Sequence, residues 1–221
     1  LFPHTCEWLR TIYTLSARNE INARRTEFYF QDNYRFSSGG KTDEDGKEIT
    51  PATYFTLNYG IRFSNWSFNK ESIVSPRISL AIIPGFNQDI TFRFATGLYY
   101  QAPFFKELLD TTTVDGTTYA RLNDKIKSQR SIHFIAGMDY KFKMLDRPFR
   151  FTAEAYYKAM SNLVPYSINN VQVVYYRENR CSWHTMGIFL NLFWEFVPGS
   201  DSWVTLSFMD TGMKLNGKSI P

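Results

Sequence analysis

The sequence predicts an all-β fold, an antiparallel transmembrane β-barrel of which this chain supplies a segment of about nine strands. Three observations predict it. Apolar and polar residues alternate through successive runs of about ten residues, which is the period of a two-faced strand and the length a tilted strand needs to cross a bilayer. From Asn65 onward the connections between runs alternate long and short, as the outer loops and periplasmic turns of outer-membrane barrels do. Aromatic residues make up 18% of the chain and gather near the ends of runs, where a membrane–water interface favours them.

Residues 5 to 17 are read as a first strand, though their alternation is poor. From Glu27 to Phe36 the pattern is clear: Phe28, Phe30, Tyr34 and Phe36 share one face, and Glu27, Tyr29, Gln31, Asn33 and Arg35 the other. Asp32 falls on the apolar face and is expected at a membrane interface, near the end of the span. Ser37 to Thr50 is a solvated loop rich in glycine and charge. Phe55, Leu57, Tyr59, Ile61 and Phe63 mark the next strand, and residues 65–75 are read as a long outer loop. Ile78, Leu80 and Ile82 mark another strand, and a turn at 84–89 leads to the run Thr91–Tyr100, which stops at Ala102-Pro103 because proline cannot donate to a ladder. Residues 102–129 form the longest loop, with Asp115-Gly116 marking a hairpin inside it. Two regular strands follow, Ser131–Lys143 and Phe149–Lys158, joined by a tight turn at 144–148. The loop 162–182 includes a β-prone piece, Val171–Tyr176. Met186–Phe196 and Val204–Phe208 close the pattern around a turn at 198–201. The loop at 37–52 breaks the alternation of loop lengths: its parity places it among the periplasmic turns although it is long.

Alternation alone also suits a soluble β-sandwich, an adhesion or carbohydrate-binding domain whose apolar face packs on a second sheet. Strand length separates the two readings, because sandwich strands run nearer five or six residues. Charges recurring mid-strand on the polar face, at Arg62, Arg93, Asp139, Arg150, Glu154 and Glu195, also favour a barrel with a wet or plugged interior.

The formal net charge is +4, with basic residues scattered, so no nucleic-acid footprint is present. The mild basic tilt suits loops that meet anionic lipopolysaccharide, and a solvated surface explains it equally well. Cys6 and Cys181 form no metal or disulfide pattern; two free thiols or one bridge both fit, with free thiols the favoured reading. His4, His133 and His184 have no metal-ligand spacing. Ser131 and His133 share a face, as a nucleophile and base would, but a polar wall explains them more simply. No phosphate loop or nucleophile elbow occurs, so no cofactor and no catalytic residue is assigned. Trp66, Phe68, Tyr99, Tyr100, Gln101, Phe104 and Phe105 are candidate ligand contacts at the outer mouth, with interfacial and loop packing as the plainer role.

Several segments carry a family resemblance. Ser75-Pro76-Arg77 opens one strand, and the next closes on Arg93-Phe94-Ala95-Thr96-Gly97-Leu98-Tyr99-Tyr100-Gln101-Ala102-Pro103-Phe104, followed by Lys106-Glu107-Leu108. Upstream lie RTEFYFQD (25–32), LNYGIR (57–62) and WSFNKE (66–71); downstream lie Glu154–Lys158, NLVPY (162–166) and EFVPGSDSW (195–203). In this order and spacing they resemble the barrel of a TonB-dependent outer-membrane receptor of the Bacteroidetes type, in its middle to C-terminal part. The resemblance implies a barrel of about twenty-two strands around an N-terminal plug. It also implies uptake of a nutrient across the outer membrane of a Gram-negative bacterium, driven through TonB, and no enzymatic activity. The implied partners are outer-membrane lipid, the protein's own plug, the TonB complex acting through an N-terminal part and a surface lipoprotein, with no nucleic acid. Arg62, Arg93, Asp139, Arg150, Glu154 and Glu195 then become lumen or plug contacts. The whole chain, 1–221, reads as barrel, with plug and both barrel ends expected elsewhere in a longer protein. The stretch 181–194 departs from the family pattern: Phe189 and Phe193 place bulk on the lumen face.

Overall fold

The computed structural model describes residues 20–42, 48–114, 117–169, 172–176, 178–197, 199–215 and 218–220. The predicted strand at 5–17 and Cys6 lie outside the described residues, as does the Asp115-Gly116 turn. In order, the elements are β1 (Arg25–Ser38), β2 (Lys41–Thr42), β3 (Glu48–Thr50), β4 (Thr53–Trp66), β5 (Glu71–Ile83), β6 (Ile90–Gln101), the single helical turn α1 (Phe105–Leu108), β7 (Leu109–Val114), β8 (Thr117–Leu122), β9 (Gln129–Met144), β10 (Arg147–Leu163), β11 (Tyr166–Asn169), β12 (Gln172–Tyr175), β13 (Cys181–Val197), β14 (Ser200–Leu215) and β15 (Lys218–Ile220).

One sheet dominates, ordered β1-β4-β5-β6-β9-β10-β13-β14-β15, and every pairing between neighbours is antiparallel. Its long strands run 12 to 17 residues, longer than the expected ten. Three small hairpins, β2–β3, β7–β8 and β11–β12, interrupt the meander. Within the strand-prone piece at 171–176, Gln172–Tyr175 is the second arm of one of these hairpins.

The register keeps the two faces separate from strand to strand. Phe36, Phe55, Ile82, Phe92, Met138, Ala153, Leu190 and Leu206 lie directly opposite one another in a single row. Arg35, Thr56, Ala81, Arg93, Gly137, Glu154, Phe189 and Ser207 form the adjacent row on the other face. A slip of one residue anywhere would exchange the faces, so the alternation read from sequence selects this pairing.

Among the described residues no second sheet covers the apolar face. Phe28, Phe30, Phe134, Ile188 and Phe208 are 50% to 65% exposed. A soluble sandwich buries such residues, so that alternative fails on the architecture.

Toward one end, the apolar face carries a stack of rings. Tyr140, Phe142, Phe149 and Trp194 follow one another at centroid distances of 5.1, 5.5 and 6.4 Å. On β1 and β4 the corresponding stack is Tyr34, Phe36 and Phe55. The row through Phe36 meets β9 at Met138, four residues short of Phe142. The aromatic band therefore climbs about one residue per strand, which is the stagger tilted barrel strands require.

The connections correct one expectation. Residues 65–75 are not a long loop: β4 runs to Trp66 and β5 starts at Glu71, leaving a four-residue turn closed by Lys70 at φ 53°. Polar residues at 69–75 masked the strand, but Ser72, Ile73 and Val74 pair with Asn65, Ser64 and Phe63. The turn at 144–148 is tighter than expected, a two-residue hairpin with Leu145 and Asp146 both at positive φ. The loop at 37–52 lies at the same end as the turns 84–89, 144–148 and 198–201, as its parity required. There Thr53 Oγ1 accepts the Gly85 N–H at 3.0 Å. Pro76 marks where β5 leaves β6: the β5–β6 ladder begins only at Arg77, and Leu98 to Gln101 pair with β9 alone.

Candidate functional site

The polar face is the first candidate. Toward its short-turn end, Asp139 on β9 is nearly buried and receives three donors. Arg93 on β6 reaches one carboxylate oxygen at 2.9 Å. Arg150 on β10 reaches the other at 3.0 Å, and the Thr152 hydroxyl donates to that oxygen at 2.8 Å. The two guanidinium groups stay about half exposed, so each keeps donors turned to the open side of the wall. Arg150 also lies over the Phe193 ring, 6.0 Å from its centre.

Of the six predicted wall residues, the structure joins Arg93, Asp139 and Arg150. Arg62 pairs instead with Glu27, which also holds Arg25 at 3.0 Å and accepts from Ser64 at 3.3 Å. Glu195 accepts the Gly199 N–H at 2.6 Å and closes the β13–β14 turn. Glu154 sits between Gly137 and Phe189 on the polar face, half-buried, with no ion pair among the described residues. Sequence reasoning missed Thr152 and Glu27. A Thr one position across the pair from an acid, and an acid one pair across from Ser64 and next to Arg62's row, are visible only once the register is known.

A second cluster crosses β5, β6 and β9. Arg77 covers the Tyr99 ring at 4.5 Å, Tyr99 stacks on His133 at 4.5 Å, and His133 Nε2 contacts Ser131 Oγ at 2.7 Å. The Ser–His contact is of the length a nucleophile and base share. Among the described residues no carboxylate orients the imidazole, and Lys158 stands opposite it, so the pair lacks a triad's third member.

The second candidate is the loop-rich end. Leu108, Ile126 and Val164 are buried there, and Ile21, Trp66, Phe68, Leu122 and Tyr175 pack against them. Trp66 and Phe68 thus join a loop core, their rings 5.2 Å apart. Polar pins hold the loops together. Glu71 accepts from the Ser128 N–H and hydroxyl, and Asn69 donates to Ile126 O at 3.1 Å. Asn179 donates to Lys127 O at 3.0 Å and accepts the Lys127 N–H at 2.8 Å. Glu107 accepts from Phe104 N at 2.8 Å and Gln129 Nε2 at 3.0 Å, fixing the helical turn.

The remaining mouth candidates separate. Tyr99 and Gln101 lie on the polar face, whereas Tyr100, opposite Arg130, lies on the apolar one. Phe104 and Phe105 are 60% and 45% exposed beside the loop core. Three further aromatics lie off the apolar face: Tyr156 and Trp203 are on the polar face, opposite Gly187 and Phe193, and Tyr175 is in the loop core. Alternation settles a side chain's face, and adjacent tyrosines necessarily point opposite ways.

Among the described residues no three His, Cys, Asp or Glu side chains gather as a metal site. Cys181 is buried as a free thiol.

The sequence model for the family described as TonB dependent receptor-like, beta-barrel, matches residues 8–209. The chain belongs to that family. A solved structure of similar fold is the outer membrane transporter YddB from Escherichia coli, with a TM-score of 0.52 and 11% identity. The match covers 89% of this chain and 32% of that one, so this chain spans about a third of the transporter's length. No curated protein matches the sequence. Family membership assigns the faces: in an outer-membrane barrel the exposed apolar face meets lipid and the polar face lines the interior. The stacked Tyr140–Phe142–Phe149–Trp194 band then lies at a membrane interface, on the side of the short turns.

Proposed function

We propose that the chain forms part of the wall of a TonB-dependent receptor of the Bacteroidetes type, which takes up a nutrient across a Gram-negative outer membrane. The observation that carries this reading is the two-faced sheet, with one uncovered apolar surface and, behind it, a polar surface crossed by an Arg93–Asp139–Arg150 ion cluster. A simple adhesin or structural sheet has no need of a charged, half-exposed inner wall. An importer whose interior holds a plug does.

In this reading the plug and the segment that meets TonB belong to parts of the protein outside this chain. The exposed donors of Arg93 and Arg150 and the carboxylate of Glu154 face the plug. Asp139 is neutralised within the wall and positions the two arginines. Phe104 and Phe105 are the mouth aromatics open to a ligand, while Trp66 and Phe68 stiffen the loops that present them. A surface lipoprotein would meet the same loop-rich end.

The test is fractionation of cells making the full-length protein, with electrophoresis before and after heating in detergent. Recovery in the outer membrane with a heat-dependent shift supports the barrel. Coupling is tested by growth on single defined nutrients with and without TonB: a nutrient whose use needs both proteins identifies the cargo. A soluble protein with no heat shift sinks the reading.

A further inference from the structure

The lipid-facing surface of β9, β10, β13 and β14 differs at its two ends. The short-turn end carries the ring stack Tyr140–Phe142–Phe149–Trp194. The loop-rich end carries Arg130, His184 and Lys214. Register places all three on the apolar face: Arg130 opposite Tyr100 and Ser161, His184 opposite Ala159 and Gly212, Lys214 opposite Ser182. Arg130 and Lys214 are exposed, and Arg130 Nε donates to Ser161 Oγ at 3.1 Å, which draws the guanidinium along the rim toward β13.

Depth follows from the strands themselves. Arg130 is twelve residues from Phe142 on β9, and Lys214 twelve from Ser202, the partner of Trp194, on β14. At about 3.3 Å per residue and a tilt of about 40°, both lie roughly 30 Å above the ring stack, just past an apolar band about 25 Å tall. Both cations therefore stand at the outer headgroup level. The carboxylate on the same surface, Asp210, is four residues from Lys214 and points into the apolar band. The ion-paired Glu178 precedes β13, where Arg180 neutralises it.

We propose that Arg130, His184 and Lys214, with the Ser161 and Ser182 hydroxyls, form a binding site for the phosphorylated headgroup of an outer-leaflet lipid. Two fixed cations and an imidazole at headgroup depth, with hydroxyl donors between them, match a phosphate monoester. The proposal rests on the outer-membrane reading above. It adds a specific lipid that steadies the strands leading into both large loops.

The test uses the full-length protein in detergent, probed by native mass spectrometry with bisphosphorylated lipid A and with the same lipid stripped of phosphate. Retention of the phosphorylated form should exceed that of the stripped form at least fivefold, and the triple variant Arg130→Gln, His184→Gln, Lys214→Gln should abolish the difference. Heat-modifiable migration of the variant confirms that it still forms the barrel; if it does not, the single variant Lys214→Gln is used and should halve the preference or more. Equal retention of both lipids by the parent, or an unchanged preference in a folded variant, overturns the proposal. Either result leaves the receptor reading standing if the parent still fractionates with the outer membrane and shows its heat shift.

Discussion

Glu71 accepts the backbone N–H of Ser128 at 2.9 Å and its hydroxyl at 2.6 Å, across 57 residues of sequence. The carboxylate sits at the start of β5, and Ser128 at the end of the longest loop is almost fully buried. A surface loop of this length is ordinarily mobile; here a charge-assisted pair fastens it to the wall. Replacing Glu71 with Ala leaves a buried N–H and hydroxyl without an acceptor, at a cost of about 2–3 kcal/mol. Amide exchange at residues 123–128 should speed up roughly thirtyfold or more, while exchange in β9 beyond His133 stays unchanged. Glu71→Gln, which keeps one acceptor, should fall between.

Asp139 should be worth more to the wall than its single charge indicates. Asp139→Ala leaves Arg93 and Arg150 facing each other without the carboxylate. Because both guanidiniums are about half exposed, water screens much of the effect, and the loss is about 1–2 kcal/mol rather than that of a buried pair. The heat needed to convert the folded band should drop by several degrees. In a double-mutant cycle, Arg93→Ala should cost clearly less in the Asp139→Ala background than in the parent.

Gly187 is held to glycine by its neighbours. A Cβ there would lie 2.6 Å from the Phe208 carbonyl oxygen and 2.7 Å from the Tyr156 hydroxyl, so Tyr156 covers the gap a side chain would fill. Gly187→Ala should destabilise the barrel by about 1–3 kcal/mol. Adding Tyr156→Ala should recover only part of that, because the backbone oxygen of Phe208 stays. Full recovery in the denaturant midpoint would show that only the ring is in the way.

Asp32 lies on the apolar face of β1 between Phe30 and Tyr34, one same-face position from the Tyr34–Phe36–Phe55 rings. It persists there because the Tyr59 hydroxyl donates to it at 3.0 Å. Tyr59→Phe should therefore lower the yield of heat-modifiable protein, since the carboxylate loses its side-chain donor in the apolar band. The double variant Asp32→Leu with Tyr59→Phe should match or exceed the parent. Poorer assembly of the double variant would refute this account.

The hairpin at Leu145-Asp146 uses residues ill suited to its geometry. Both have positive φ, as a type I′ turn demands, yet neither is the favoured Asn or Gly, and Leu145 is 86% exposed. Changing them to Asn and Gly should stabilise the β9–β10 hairpin by about 1–2 kcal/mol and raise the denaturant midpoint.

What was legible in the sequence follows from the range of the interactions involved. Which way each strand residue points depends only on its neighbours one and two positions away, so the two faces, and with them Arg93, Asp139 and Arg150 on one wall, were readable directly. The strand at Glu71–Ser75 was not, because its polar residues resemble a loop until β4 lies beside them. Nor was the choice of partners: Arg62 joins Glu27 rather than the Asp139 cluster because register brings those strands together at that level.

Sequence by itself determined that this protein is a sheet with one apolar and one polar surface, since a period of two is written residue by residue. Only the tertiary structure decided that Leu108 and Ile126 share a core with Val164, that Glu71 fastens Ser128, and that Asn179 ties to Lys127. It alone set which residues stand beside Asp32, Arg130 and Lys214 across the sheet. Those outcomes depend on strand stagger and on contacts between residues far apart in the chain, which no local pattern encodes.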